Sequence, residues 1–174
     1  NKPTLPSNLV HALAVSPDKR VWIGTSQGLC YFDLLTEKIE KFPLISGKER
    51  RSVQVPSLFC DAEGRLWVGT SDSGLFLLSP SAQGYRTEHY DTSNSKLPGN
   101  NIPVVAQLRN GNILVGTNHG AAIRCSDATQ FELWHPEHLQ NSVVLSFCET
   151  KEGQIFVGNV YGLALFPSED SMPQ

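Results

Sequence analysis

The sequence predicts an all-β fold assembled from one repeated unit, and three observations carry that prediction. Val21-Trp22-Ile23-Gly24-Thr25, Leu66-Trp67-Val68-Gly69-Thr70, Ile113-Leu114-Val115-Gly116-Thr117 and Ile155-Phe156-Val157-Gly158-Asn159 restate one strand, each followed by a second glycine, Gly28, Gly74, Gly120 or Gly162. The first glycines lie 45, 47 and 42 residues apart, a period that marks propeller blades or another repeat array. Helical periodicity is almost absent between these segments. A single four-stranded sheet cannot hide both faces, whereas like sheets stacked around an axis can. The expected architecture is therefore a β-propeller: four blades of about four antiparallel strands each.

The second repeat shows the unit in order. Residues 53–60 form an apolar-rich first strand, and Asp61-Ala62-Glu63-Gly64 turns the chain. Residues 65–70 return with Leu66 and Val68 on one face and Trp67 on the other. Ser71-Asp72-Ser73-Gly74 turns again, Leu75-Phe76-Leu77-Leu78 is a third strand, and a looser segment ending at Tyr90 is the fourth. Gly64, Gly111 and Gly153 share one turn position where a positive φ is expected. Lys19 holds it in the first repeat, which predicts a slightly strained turn or another type. Fourth strands carry Phe42, Tyr90 and Trp134 in matching places, and the equivalent Trp22, Trp67, Leu114 and Phe156 should wedge between blades.

Residues 1–174 read as a single propeller segment, with repeats near 5–45, 52–92, 97–136 and 141–167 and a tail at 168–174. The tail offers no convincing fourth strand for the last repeat, and residues 1–4 are too short to donate one. The expectation is an open arc cut from a larger ring rather than a closed ring of four. Its uncovered end faces should self-associate or meet the remaining blades.

Composition narrows the class. At 174 residues, 40% hydrophobic and 18% charged, the chain suits a globular protein with a real core. No apolar run approaches eighteen residues, so no span and no direct membrane contact is expected in this segment. The chain opens on Asn1 with no signal peptide, as an excised or processed piece of something longer would. A net charge of −3 argues against nucleic acid; Lys48, Arg50 and Arg51, with Glu49 among them, read as a solvated loop. Cys30, Cys60, Cys125 and Cys148 show no CxxC spacing and read as small buried apolar side chains.

In phase with the motif, these residues resemble the two-component regulator propeller repeat. Leu5-Pro6-Ser7-Asn8 and Leu97-Pro98-Gly99-Asn100 match its opening, and Asp61 with Gly64 its acidic turn. Trp22 to Thr25 and Trp67 to Thr70 match its centre; Gly28-Leu29, Gly74-Leu75 and Gly162-Leu163 match its close. Leu114, Phe156 and Asn159 depart from the pattern. The resemblance implies the periplasmic sensor region of a bacterial membrane receptor, a hybrid histidine kinase or diguanylate cyclase, in a propeller of about seven blades. It also implies carbohydrates or related metabolites as signals, and no catalysis or cofactor in this segment.

In such a ring the loops after each second strand gather with those entering each first strand. Here they present Gln27, Asp72, Asn118, His119 and Tyr161 beside Asn8, Asn100 and Asn141, a set of amides, one carboxylate, one imidazole and one phenol suited to a sugar-like ligand. Turns favour these residue types whatever they bind. His135-Pro136-Glu137-His138 falls in a proline-interrupted loop without metalloprotease spacing, so no metal is expected there. His11, at the start of a first strand, faces the channel or solvent. Nothing forms a nucleophile elbow. A sensor module is the first reading; an interaction scaffold is the alternative. A propeller lyase, with His119 and Asp72 as its nominated pair, is the third.

Overall fold

The computed structural model describes residues 5–44 and 53–167. Its strands pair antiparallel in chain order, as short segments joined by tight turns must. The first sheet is β1 (Val10–Ser16), β2 (Arg20–Thr25), β3 (Gly28–Asp33) and β4 (Lys38–Phe42). The second is β5 (Ser57–Cys60), β6 (Leu66–Gly69), β7 (Leu75–Ser81) and β8 (Gly84–Tyr90). The third is β9 (Val104–Gln107), β10 (Ile113–Thr117), β11 (Gly120–Arg124) and β12 (Glu132–Trp134). One helical turn, α1 (Pro136–Leu139), leads to the last sheet, β13 (Val144–Glu149), β14 (Ile155–Asn159) and β15 (Gly162–Phe166). β1 packs on β5, β5 on β9 and β9 on β13, so the sheets follow one another as four propeller blades. The tail, residues 1–4 and the basic segment at 48–51 lie outside the described residues.

Alternation along each second strand builds the seams between blades. Trp22 shares one buried cluster with Val55, Val68, Phe76 and Leu78 of the next blade. Trp67 does the same with Ile102, Val105, Ile113 and Val115, and Leu114 with Val144, Ile155 and Val157. All three side chains are fully buried. Phe156 departs from the expectation: it is half-buried, because no described blade follows it. The same holds at the other end, where Leu13 and Val15 are each 63% exposed; Leu163 and Leu165 are 72% and 53% exposed beside Phe156. The two end faces therefore do not cover one another. The blades form an open arc.

The repeated glycines let the seams close. A Cβ on Gly69 would strike the Ser57 hydroxyl and come within 2.5 Å of the Ile102 carbonyl oxygen in the next blade. On Gly158 it would meet only the movable Ser146 side chain. Gly69→Ala is expected to lose about 1–3 kcal/mol, and Gly158→Ala clearly less, on urea titration. Equal losses would mean the seam is not what fixes Gly69.

The two second-strand tryptophans find a hydrogen-bond partner just before their strand, whereas the buried indole nitrogen of Trp134, on a fourth strand, has none among the described residues. Trp22 Nε1 donates to Ser16 Oγ at 3.0 Å, and Trp67 Nε1 to Asp61 Oδ2 at 2.9 Å. Leu108, six residues before Leu114, stands where Asp61 stands before Trp67 and is buried in the same cluster as Leu114. The substitutions that break the sequence motif are thus paired. Lys19 takes φ 63°, beside 75°, 88° and 83° for Gly64, Gly111 and Gly153, so its turn is of the same kind and carries side-chain strain.

At the first seam Trp22 packs edge-on against Phe42 and Tyr85, and Tyr31 donates to Glu40 at 2.7 Å. Burial first, then that hydrogen bond, pushes the Tyr31 phenol up to about 12. Its folded value lies above the unfolded value of about 10, so the stabilisation is complete below pH 10 and lost as pH rises towards 12. Tyr85 and Tyr90 are raised in the same direction, chiefly by burial. Alkaline melting curves should show stability falling across that window, and Tyr31→Phe should lose less of it.

Candidate functional site

The loop end of the arc is held by hydrogen bonds that repeat in every blade. Ser26, Ser71, Asn118 and Val160 donate backbone N–H groups to the carbonyls of Leu9, Gln54, Asn101 and Val143 at 3.0–3.2 Å. Two further bonds cross the seams, from Val55 N–H to Thr25 and from Ile102 N–H to Thr70. The two predicted loop sets therefore do lie at one end. Each threonine closing a second strand braces its turn: Thr70 Oγ1 accepts the Ser73 N–H and donates to the Gly74 carbonyl. Thr25 and Thr117 repeat the pattern with Gln27, Gly28, His119 and Gly120. Asn159 does half of that work, since its Oδ1 accepts the Tyr161 N–H at 2.8 Å.

Four of the eight predicted ligand residues line one cleft. It holds about 380 Å³ and is lined by Ser71, Asp72, Thr92, Asn100, Asn118 and His119, with Pro98, Gly99 and Asn101. A second cleft of about 340 Å³ adjoins it, sharing Pro98 and His119 and adding Gln140, Asn141 and the half-exposed Leu133. Exposed His119 stands at the junction of the two. Asn8, Gln27 and Tyr161 line neither cleft.

The polar groups divide between bracing the cleft and facing it. Asn100 Oδ1 accepts the Thr92 N–H at 2.9 Å, and its Nδ2 donates to Thr92 Oγ1 at 3.3 Å. Asn118 Oδ1 accepts the Asn101 N–H at 3.4 Å. A Cβ on Gly99 would collide with Asn118 Oδ1, so glycine there keeps the floor open. Asp72 is exposed, and its carboxylate accepts from the Ser73 hydroxyl at 2.8 Å. Behind it His89, stacked on Phe76, places Nε2 2.7 Å from the Ser73 carbonyl oxygen. Asp91 caps the turn before the cleft; hydrogen bonds from Ser93, foremost its hydroxyl, hold its carboxyl below the ordinary carboxylate value.

Sequence reasoning missed Thr92, Pro98 and Gly99, which come from the path between blades, Leu133 on the fourth strand β12, and His89, which braces the Asp72 loop from the fourth strand β8. The pairing of Asn100 with Thr92, eight residues upstream, has no local signature. His11 is also clearer in the structure. Its Nε2 lies 2.8 Å from Ser26 Oγ and 3.2 Å from Gln54 Nε2, on the same loop end.

The remaining candidates lie elsewhere. His135 leads into α1, so the expected loop is in fact one helical turn. His135 stacks on Phe166 with ring centroids 4.4 Å apart, and its Nδ1 lies 3.1 Å from Glu137 Oε1. Among the described residues no group of three or more His, Cys, Asp or Glu side chains is placed to hold a metal ion. Asp18 is taken by Arg20 and Tyr85, and Asp61 by Arg65 and Trp67. All four cysteines are free. Cys30 is buried and Cys60 half-buried, but Cys125 and Cys148 are exposed, contrary to expectation. Cys148 pairs with Phe156 on the last blade, whose outer face has no cover among the described residues.

A family model for the two-component regulator propeller matches residues 4–27 and 50–72, the first two copies of the blade motif. Two of the four blades thus carry matches to that repeat. Similar to this propeller is the extracellular domain of a hybrid two-component system from B. thetaiotaomicron, at 25% identity and TM-score 0.75 over 95% of this chain and 22% of that one. A second such domain from the same organism matches at 22% identity and TM-score 0.63, over 99% of this chain and 28% of the other. Histidine kinase P4 of Formosa agariphila is 31% identical over 85 residues, 45% of this chain. The propeller spans 6% of that kinase's length and 22% of the first extracellular domain. A streptogramin B lyase shares the fold at 14% identity and TM-score 0.58, over 98% of this chain and 58% of the lyase. No helix among the described residues is long and apolar enough to cross a membrane.

Proposed function

We propose that this chain is the extracytoplasmic sensor propeller of a bacterial membrane-bound signal-transduction receptor, of the hybrid histidine kinase or diguanylate cyclase type. It recognises a small-molecule signal at the loop end and performs no chemistry itself. The observation that carries this reading is the braced pair of clefts meeting at His119, built on repeats shared with extracellular domains of two-component systems. The lining suits recognition: it offers amide and hydroxyl donors and acceptors with one carboxylate and an apolar wall at Leu133. A carbohydrate or related metabolite fits that chemistry. The periplasm is the proposed location, with the uncovered end faces meeting further blades or a second copy.

The parent gene tests the receptor assignment directly. It should encode more copies of the motif, a membrane span and a signalling output domain; an open reading frame with no span and no output would overturn it. A thermal-shift screen against sugars and metabolites tests recognition, because a ligand binding only the folded state raises the melting temperature. Silence across a broad library favours the scaffold reading.

A further inference from the structure

We infer that the Asp72 cleft prefers an amine-bearing, hydroxylated small molecule over its neutral and anionic counterparts. The inference rests on the ligand-recognition reading above and adds the charge class of the ligand. Across both clefts the lining contains one carboxylate, Asp72, and no lysine or arginine. Lys96, two residues before Pro98, is held by the Glu132 carboxylate at 2.6 and 2.8 Å. An anionic ligand would therefore meet acceptor oxygens and an uncompensated carboxylate. A hydroxylated ligand carrying an ammonium group would find amides for its hydroxyls and Asp72 for its charge.

The Asp72 loop is also prepared for this. Thr70 and His89 fix Ser73 from both sides, so the carboxylate is presented without ordering the loop on binding. Asp72 has one hydrogen-bond partner among the described residues, the Ser73 hydroxyl, which leaves acceptor capacity facing the cleft. His119, the other titratable lining group, lines the same cleft.

The test is a ligand-observed NMR titration of the 174-residue protein with D-glucosamine, D-glucose and D-glucuronate. These probes share a ring and differ in charge. Glucosamine is expected to bind about two- to fivefold more tightly than glucose, the range for an ion pair with an exposed carboxylate. Glucuronate should bind weakest, and 0.5 M salt should shrink the spread. Asp72→Asn keeps the volume and should bring glucosamine and glucose to parity. Asp127→Asn, the same charge change on an exposed turn outside both clefts, should leave the order intact. Binding without the charge order, or an order that survives Asp72→Asn, overturns this inference while sparing the recognition reading. Failure of all three probes to bind also overturns this inference, and the recognition reading then stands or falls on the broad thermal-shift screen.

Discussion

Trp67→Ala is expected to destabilise the protein by about 3–5 kcal/mol. The indole is fully buried between the second and third blades, against Ile102, Val105, Ile113 and Val115, with its ring edge-on to Phe131 at 6.1 Å. The Arg124 guanidinium lies 4.7 Å from the ring centre on the same side of the seam. Alanine would open a cavity between two sheets that cannot slide together, because Gly69 already brings their backbones into contact. Urea titration of the variant should show the loss as a lower midpoint at similar slope. A loss below about 1 kcal/mol would mean the seam does not depend on this side chain.

Asp61→Ala should cost nearly as much, about 3–5 kcal/mol. Its carboxylate is completely buried and accepts from Glu63 N–H at 3.1 Å, Arg65 N–H at 2.8 Å, Arg65 Nε at 2.7 Å and Trp67 Nε1 at 2.9 Å. Removing it takes that partner from the indole N–H and from two turn amides. Asp61→Asn should fall between, since it keeps one acceptor oxygen. The third blade suggests the decisive comparison, for there Leu108 and Leu114 occupy the same two places with no polar atom between them. The double variant Asp61→Leu with Trp67→Leu is therefore expected to lose less than the sum of its single changes, by about 1–3 kcal/mol. Strict additivity would show that the two residues act independently.

Much of this fold is legible in the sequence because a strand's two faces are written residue by residue. Trp22, Trp67 and Leu114 fall on the same face in each copy, and all three are buried as their phase requires. Phe156 shows the limit. Its phase is equally clear, yet its burial depends on a neighbouring blade, which no local pattern supplies. Cys148 is exposed for the same reason: it has a core-like position in its repeat but sits on an end face.

The candidate site was half legible. Asp72, Asn100, Asn118 and His119 were placed together by repeat phase alone, since equivalent loops of stacked blades must share one end. Asn8, Gln27 and Tyr161 obey the same phase but stand beside other blades, away from the clefts. Thr92 and His89 lay hidden in the segments whose length varies between repeats.

By itself the sequence determined the blade: its strands, turns and buried face, because hydrogen-bonded β pairing and side-chain alternation are set over a few neighbouring residues. Only the tertiary structure decided which loops enclose space, which asparagines are spent bracing it, and which apolar faces stay open. Those outcomes depend on contacts between residues of different blades, where sequence distance carries no information about separation in space.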